Sequence, residues 1–320
     1  MELANKKNLP NLKNDVEPPE KKEQSLIVKR LYKYRYFYLM LLPTIIFFVI
    51  FHYLPMLGIA YSFFDMGIFG DLEFIGLDNF QRLFETSDFW IAFKNTLILS
   101  LFNIFLNMVI TVGFALLLNE IRVKIYKKFI QTMIYIPHFL SWVVVAAIFT
   151  LLLSENFGIV NAVIDKLGGE KVYFLVKEEW WRPIFLGILR WKDTGYATII
   201  FLAALANINP DLYEAAEIDG AGKIKQAIHI TLPSIMVVIL TVLILEMAKV
   251  MNLFHSVFVF YNPLVYNVSD VLGTYTYRVG LLQGDYDYAT AVGLFKSIIT
   301  TILVLFTSYM SKRIRGESVI

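Results

Sequence analysis

Three long uncharged runs constrain this chain more than anything else in it. Taking histidine as neutral, 29 residues between Arg35 and Asp65, 25 between Lys94 and Glu120 and 26 between Lys128 and Glu155 carry no formal charge. A bilayer is crossed by about 20 helical residues at about 1.5 Å rise, so each run is long enough to span one. Three further stretches are less clean. Pro183 to Ala206 carries Arg190, Lys192 and Asp193; Ser234 to Phe260 carries Glu246 and Lys249; Tyr288 to Ser311 carries Lys296. An ionisable group at membrane depth is costly and normally faces protein or a watery path. The first three runs therefore read as ordinary spans and the last three as working ones. The predicted fold class is an all-α, polytopic membrane protein with six transmembrane helices.

Composition agrees. Of the 320 residues 57% are hydrophobic and 18% charged, against about a quarter charged in a soluble domain. The aromatic content excludes a disordered chain, and a net charge of +2 gives no argument for a nucleic-acid partner. The absence of cysteine excludes disulfides, thiolate metal sites and thiol nucleophiles. His52, His138, His229 and His255 are too scattered for a metal motif and read as interface or packing residues. No residue is assigned to catalysis or to a metal.

Charge bias orients the spans. Segments 1 to 35, 119 to 128, 207 to 233 and 311 to 320 share one side and hold 18 Lys plus Arg. The opposite loops, 65 to 92, 154 to 183 and 261 to 287, hold six. The positive-inside rule then predicts cytoplasmic termini in a membrane protein. The expected division is a tail over 1–35, a six-span domain over 36–311 with a cytoplasmic loop at 207–233, and a tail over 312–320. The polar outer loops, at most 30 residues each, suit contact with another protein better than independent folding.

The loop between the fourth and fifth spans runs from Asn209 through Pro210, Asp211, Glu214, Ala215, Ala216, Glu217, Asp219 and Gly220 to Ile230, Leu232 and Pro233. Asn209 or Asp211 can cap a helix start, Pro210 suits a first turn, acidic residues favour the positive end of the helix dipole, and Gly220 supplies a stop. Lys223 to His229 would form a second short helix, with Pro233 beginning the fifth span. The spacing Glu214-Ala215-Ala216, Gly220, Ile230, Leu232-Pro233 resembles the signature loop of permease subunits in binding-protein-dependent ABC importers. That resemblance implies a type I importer permease whose coupling helix, carrying Glu214, Ala215, Ala216, Asp219, Gly220, Ile230, Leu232 and Pro233, docks on a separate ATPase subunit. No Gly-x-x-x-x-Gly-Lys-Ser/Thr run occurs, so the chain is expected to hold no cofactor, ATP and Mg belonging to that partner.

Phe258 to Tyr266, Asp270-Val271, Thr274-Tyr275, Tyr277-Arg278 and Ala289 to Ser297 resemble the carbohydrate-uptake branch associated with polysaccharide-derived or complex oligosaccharides. The resemblance implies two permeases, of which the second is expected to differ from this chain in a heterodimer, two ATPases, an extracytoplasmic solute-binding protein and an oligosaccharide substrate. Sugar contacts in that family come from the spans flanking the coupling loop. By position this points to Asp193 and Tyr196 on the fourth span and Glu246, Lys249 and Asn252 on the fifth. Arg190 with Asp193 and Glu246 with Lys249 are spaced i, i+3, so each pair can meet on one helix face, either closing on itself or serving the substrate. Lys192 and Lys296 would then remain as unpaired cations near the outer half of the bundle. Another solute, such as a glycerol-phosphate ester, a gradient-driven transporter using Glu246 as an ion site, and a non-transporting membrane scaffold or sensor are the alternatives.

Overall fold

The computed structural model describes residues 29–30, 32–67 and 71–315, divided into two compact units, Met1–Gly58 and Ile59–Ile320. Most of the N-terminal tail and the last five residues lie outside the described set. In the first unit α1 (Arg35–Phe48) continues through a π-helical turn, Val49–Tyr53, into one α-turn, Leu54–Met56. Pro55 has no N–H for the carbonyl of Phe51 and its ring crowds that carbonyl, so the wide turn sits where a regular helix would clash. None of the α1 residues is buried, as suits a helix whose solvent is lipid.

The second unit opens with a hairpin of β1 (Phe64–Met66) and β2 (Leu72–Phe74), paired antiparallel with Phe64 opposite Phe74. Then follow α2 (Asp78–Glu85), α3 (Ser87–Glu120), α4 (Lys124–Tyr135), α5 (Trp142–Leu152), α6 (Ile159–Lys166) and α7 (Glu178–Leu205). The remainder is α8 (Asp211–Ile218), α9 (Lys223–Gln226), α10 (Leu232–Met247), α11 (Phe254–Phe258), α12 (Tyr266–Ser269), α13 (Leu272–Tyr277) and α14 (Tyr286–Arg315). Arg35–Phe63, Ser87–Glu120, Lys223–Met247 and Tyr286–Arg313 are long and apolar enough to cross a bilayer. The α4 and α5 segments are apolar enough for a crossing only when taken together, as a broken span or a re-entrant loop, and the 28-residue α7, which carries Arg190, Lys192 and Asp193, is the sixth long element.

Helix α3 packs along α7 and shows why the bundle needs lipid. Its buried stripe, Asn95, Thr96, Leu99, Ser100, Asn107 and Thr111, recurs every three or four residues and is rich in amides and hydroxyls. Its exposed face holds Leu101, Phe102, Phe105, Val109 and Leu117. A soluble helix has the reverse arrangement; here the polar groups bond between helices and the large apolar side chains face outward. The core layers join α3 to α7 through Leu99, Trp181 and Phe185 and, further along, through Val112, Ala115, Phe201 and Leu205, with Ile235 and Val242 of α10.

Two predicted spans are not continuous helices. The third, read as an ordinary span over 129–154, bends by 102° between the Lys124–Phe139 and Trp142–Leu152 helical segments. Pro137 removes a donor and forces a short 3-10 turn, Ile136–Phe139, and Ser141 then caps α5 by accepting from the Val144 N–H at 3.3 Å. The fifth ends its helix at Met247, turns, and restarts at Phe254. The carbonyl of Val250, freed by that break, accepts a bond from the Ser100 hydroxyl. Non-helical backbone at this depth is tolerated where protein or a polar cavity satisfies it.

The segment 261–287, expected as an exposed polar loop, is folded into the core. Val265, Val271, Leu272, Tyr275 and Val279 are buried there. Asn95 donates to the carbonyls of Asn267 and Asp270 at 3.1 and 3.0 Å, closing the orphan end of α12. The Thr96 hydroxyl accepts from the Leu272 N–H at 2.8 Å. Asp270, 3% exposed, pairs with Arg278 at 2.7 Å. Arg278 also donates to the Tyr261 hydroxyl and lies 4.9 Å over the Tyr266 ring.

Candidate functional site

A polar cavity of about 430 Å³ opens at the two broken spans. Its wall includes Arg190, Asp193 and Tyr196 from α7, Glu246 from α10, and Lys249 and Asn252 from the turn that follows, so all six pathway residues named from the sequence line one space. Asn103 and Asn107 of α3, and His138 from the bend, face the same space. The volume lies within the roughly 300–1,000 Å³ of small-molecule sites.

The pairing inside the cavity differs from the sequence expectation. Arg190 and Asp193 do not close on each other. Arg190 donates to the side-chain oxygens of Asn103 and Asn107, one helical turn apart on α3, and its Nε has no partner among the described residues. Asp193 Oδ1 meets His138 Nδ1 at 3.1 Å. The amides of α3 and the His138 ring lie within hydrogen-bond reach and take these two groups instead. Glu246 and Lys249 do approach, at 3.7 Å, with the ammonium largely exposed.

Lys192 is not an unpaired cation. It is buried, its Nζ donating to the His138 carbonyl at 2.6 Å and lying 5.4 Å over the Trp142 ring. Lys296, half-buried on α14, is not among the residues that line this cavity. His138, expected as an interface or packing residue, lays its ring parallel to Tyr196 with centroids 4.0 Å apart and 2° between planes. The usable signals were Pro137-His138 inside an apolar run and two asparagines four residues apart in the second span. The close approach of α7 to the bend needs Gly195, since a Cβ there would lie 1.9 Å from the Ile134 carbonyl oxygen.

The residues of the 207–233 loop form a second site. Asn209 Oδ1 accepts from the Asp211 N–H at 3.1 Å and Pro210 precedes the first turn of α8. Gly220 ends the helix with φ +75°, and the Ala221 N–H bonds back to the Ala216 carbonyl at 2.8 Å, a turn that favours glycine. Glu214, Ala215, Asp219 and Gly220 are exposed and Ala216 is half-buried. The second helix does not stop before Pro233. It runs from Lys223 to Met247 through a π-helical turn, Ala227–Thr231, again just before a proline. Ile230 and Leu232 are half-buried there and Pro233 is exposed.

The Tyr213 hydroxyl meets Thr231 Oγ1 at 3.0 Å, and Gln226 Nε2 donates to the Ala221 carbonyl at 3.0 Å, tying the two helices into one unit. A hydrogen bond from Lys223 at 3.2 Å holds the Glu217 carboxyl below the usual carboxylate range. At the tip Ile218 is 87% exposed and Ile224 77%, apolar side chains that nothing among the described residues covers. Tyr213, Gln226 and Thr231 escaped the sequence reading because hydroxyls and amides in a loop look alike until their partners are known.

Residues 110–316 match the family described as the binding-protein-dependent transport system inner membrane component. The chain is 42% identical over 305 residues to the polygalacturonan/rhamnogalacturonan transport system permease protein YteP of Bacillus subtilis (strain 168), covering 94% of each chain. It is 41% identical over 287 residues to protein LplB of the same organism, covering 88% of this chain and 90% of that one. A crystal structure of a bacterial ABC transporter involved in the import of the acidic polysaccharide alginate holds a chain that superposes with a TM-score of 0.85 at 39% identity, covering 90% of this chain and 99% of that one. With the all-helical, bilayer-length fold and the intact loop signature, these matches identify the chain as a multi-pass membrane protein that belongs to the binding-protein-dependent transport system inner membrane components, the permease subunits of ABC importers.

Proposed function

We propose that this chain is one of two different permease subunits in an importer driven by two ATPase subunits, passing an oligosaccharide handed over by an extracytoplasmic binding protein. The observation that carries the substrate class is the cavity. An aromatic face, two carboxylates, two cations and several amides converge there, which suits a ligand with apolar ring faces and many hydroxyls. The names of the relatives support it: one transports polygalacturonan or rhamnogalacturonan, and the alginate transporter has a structure in complex with a pentasaccharide-bound periplasmic protein.

The exposed Ile218 and Ile224 beside Glu214 support α8 as the element that enters an ATPase groove, with ATP and Mg held by that subunit. Cytoplasmic termini follow from the charge bias. In the mechanism this implies, closure of the ATPases draws the coupling helices together, and the permease opens outward and then inward; only contacts that differ between the two states drive such a change.

The test is uptake by proteoliposomes holding the assembled complex and its binding protein. Trigalacturonate, arabinotriose and glycerol 3-phosphate serve as solutes. ATP-dependent, vanadate-sensitive uptake of a trisaccharide is the expected result. Uptake of glycerol 3-phosphate alone, or uptake abolished by an ionophore and indifferent to vanadate, would overturn it.

A further inference from the structure

We infer that His138 is a specificity-determining positioning residue, which prepares Tyr196 and Asp193 for a sugar and adds an acceptor of its own; the inference rests on the oligosaccharide reading above. His138 stands in the 3-10 turn, Ile136–Phe139, that closes one helical segment. Pro137 begins to tighten the chain there, Ser141 caps the next helix, and the Lys192 ammonium pins the His138 carbonyl at 2.6 Å. With its backbone held from α7, the ring is delivered into the cavity beside two α7 side chains.

There it does two things. It covers one face of Tyr196 at 4.0 Å, leaving the half-exposed tyrosine a single face for a pyranose ring. It also holds Asp193 Oδ1 through Nδ1 at 3.1 Å, while Asp193 Oδ2 and His138 Nε2 have no partner among the described residues. In the neutral imidazole the nitrogen facing a carboxylate carries the proton and the other presents a lone pair. The cavity therefore offers two hydrogen-bond acceptors next to one aromatic face. That combination selects neighbouring hydroxyl donors on a stacked sugar ring. A sugar carboxylate would be repelled from this corner and directed to the Arg190 and Lys249 cations on the same wall.

The test is the split between KM and Vmax for trisaccharide uptake by the full reconstituted complex, with trigalacturonate and arabinotriose as probes. His138→Phe keeps the stack and loses both nitrogens; His138→Gln loses the stack and keeps a donor for Asp193. The expected result is a KM about tenfold higher for His138→Phe, as for loss of one hydrogen bond involving a charged group. A smaller rise is expected for His138→Gln, with Vmax per assembled complex within about twofold in both. Unchanged KM in both variants, or losses that only follow the amount of assembled complex, would overturn the inference and leave the functional reading intact. A wild-type complex that takes up neither trisaccharide would remove both.

Discussion

The Asp270–Arg278 pair and the Arg190–Asp193 cluster are both groups of charge taken out of water, yet they are completed differently. Around Arg278 the cation meets a carboxylate at 2.7 Å, a tyrosine hydroxyl and an aromatic face, and Asp270 receives a second bond from the Thr274 hydroxyl at 2.7 Å. The network closes on itself. Around the cavity the cation and the carboxylate are kept apart, Arg190 held by amides of α3 and Asp193 by His138 of the bend, and among the described residues donor or acceptor capacity is left over at Arg190 Nε, Asp193 Oδ2 and His138 Nε2. A closed network stabilises one arrangement, whereas an incomplete one has room for a ligand.

Breaking the closed network should have the largest effect on the fold. Arg278→Met leaves Asp270 buried without its cation, and removal of one partner of a buried pair costs about 3–5 kcal/mol. The expected result is a steep loss of monodisperse protein on heating in detergent, read by size-exclusion chromatography. Replacing both partners, Arg278→Met with Asp270→Leu, should recover much of that loss.

Next is the contact that holds the cavity wall. Gly195→Ala places a methyl against the Ile134 carbonyl, backbone that cannot rotate away. A cost of about 1–3 kcal/mol is expected, together with weaker uptake, because α7 must withdraw from the bend. Thermal midpoint and uptake should fall together here, unlike at Arg278, where uptake per folded complex is expected to persist in what survives.

The 207–233 loop and the cavity differ in how far the sequence reveals them, for a physical reason. The loop is built from local rules: an asparagine and a proline at the start, a glycine at positive φ at the end, fixed spacings between. Its geometry is legible residue by residue. That several helices are long and apolar enough to cross a bilayer was legible too, since it follows from length and charge. The cavity depends on contacts 50 to 90 positions apart, such as His138 with Asp193 and Arg190 with Asn103. A same-helix i, i+3 pairing was the only partner the sequence could propose for Arg190, and it lost to amides on α3. The bend was hidden because apolar content measures whether a segment tolerates lipid, not whether it is straight; Pro137 with Ser141 was the sign of it.

Smaller effects sharpen the same contrast. Gly220→Ala forces a side chain into the left-handed region and should cost about 1 kcal/mol locally, seen as weaker co-purification of the ATPase with normal membrane insertion. Lys249→Gln removes an exposed partner of a 3.7 Å pair. It should change stability by less than about 1 kcal/mol while raising the KM for an acidic oligosaccharide more than for a neutral one.

The central claim is that the cavity's polar groups serve the sugar and the 261–287 network serves the fold. Asp193→Asn tests it most directly, because the side chain keeps its shape and loses its charge. Uptake kinetics and thermal midpoint are measured on the same reconstituted complex. The account predicts a KM for trisaccharide uptake raised about tenfold or more, the size of one lost hydrogen bond to a charged group, with the midpoint unchanged. Unchanged uptake accompanied by a lowered midpoint would contradict it.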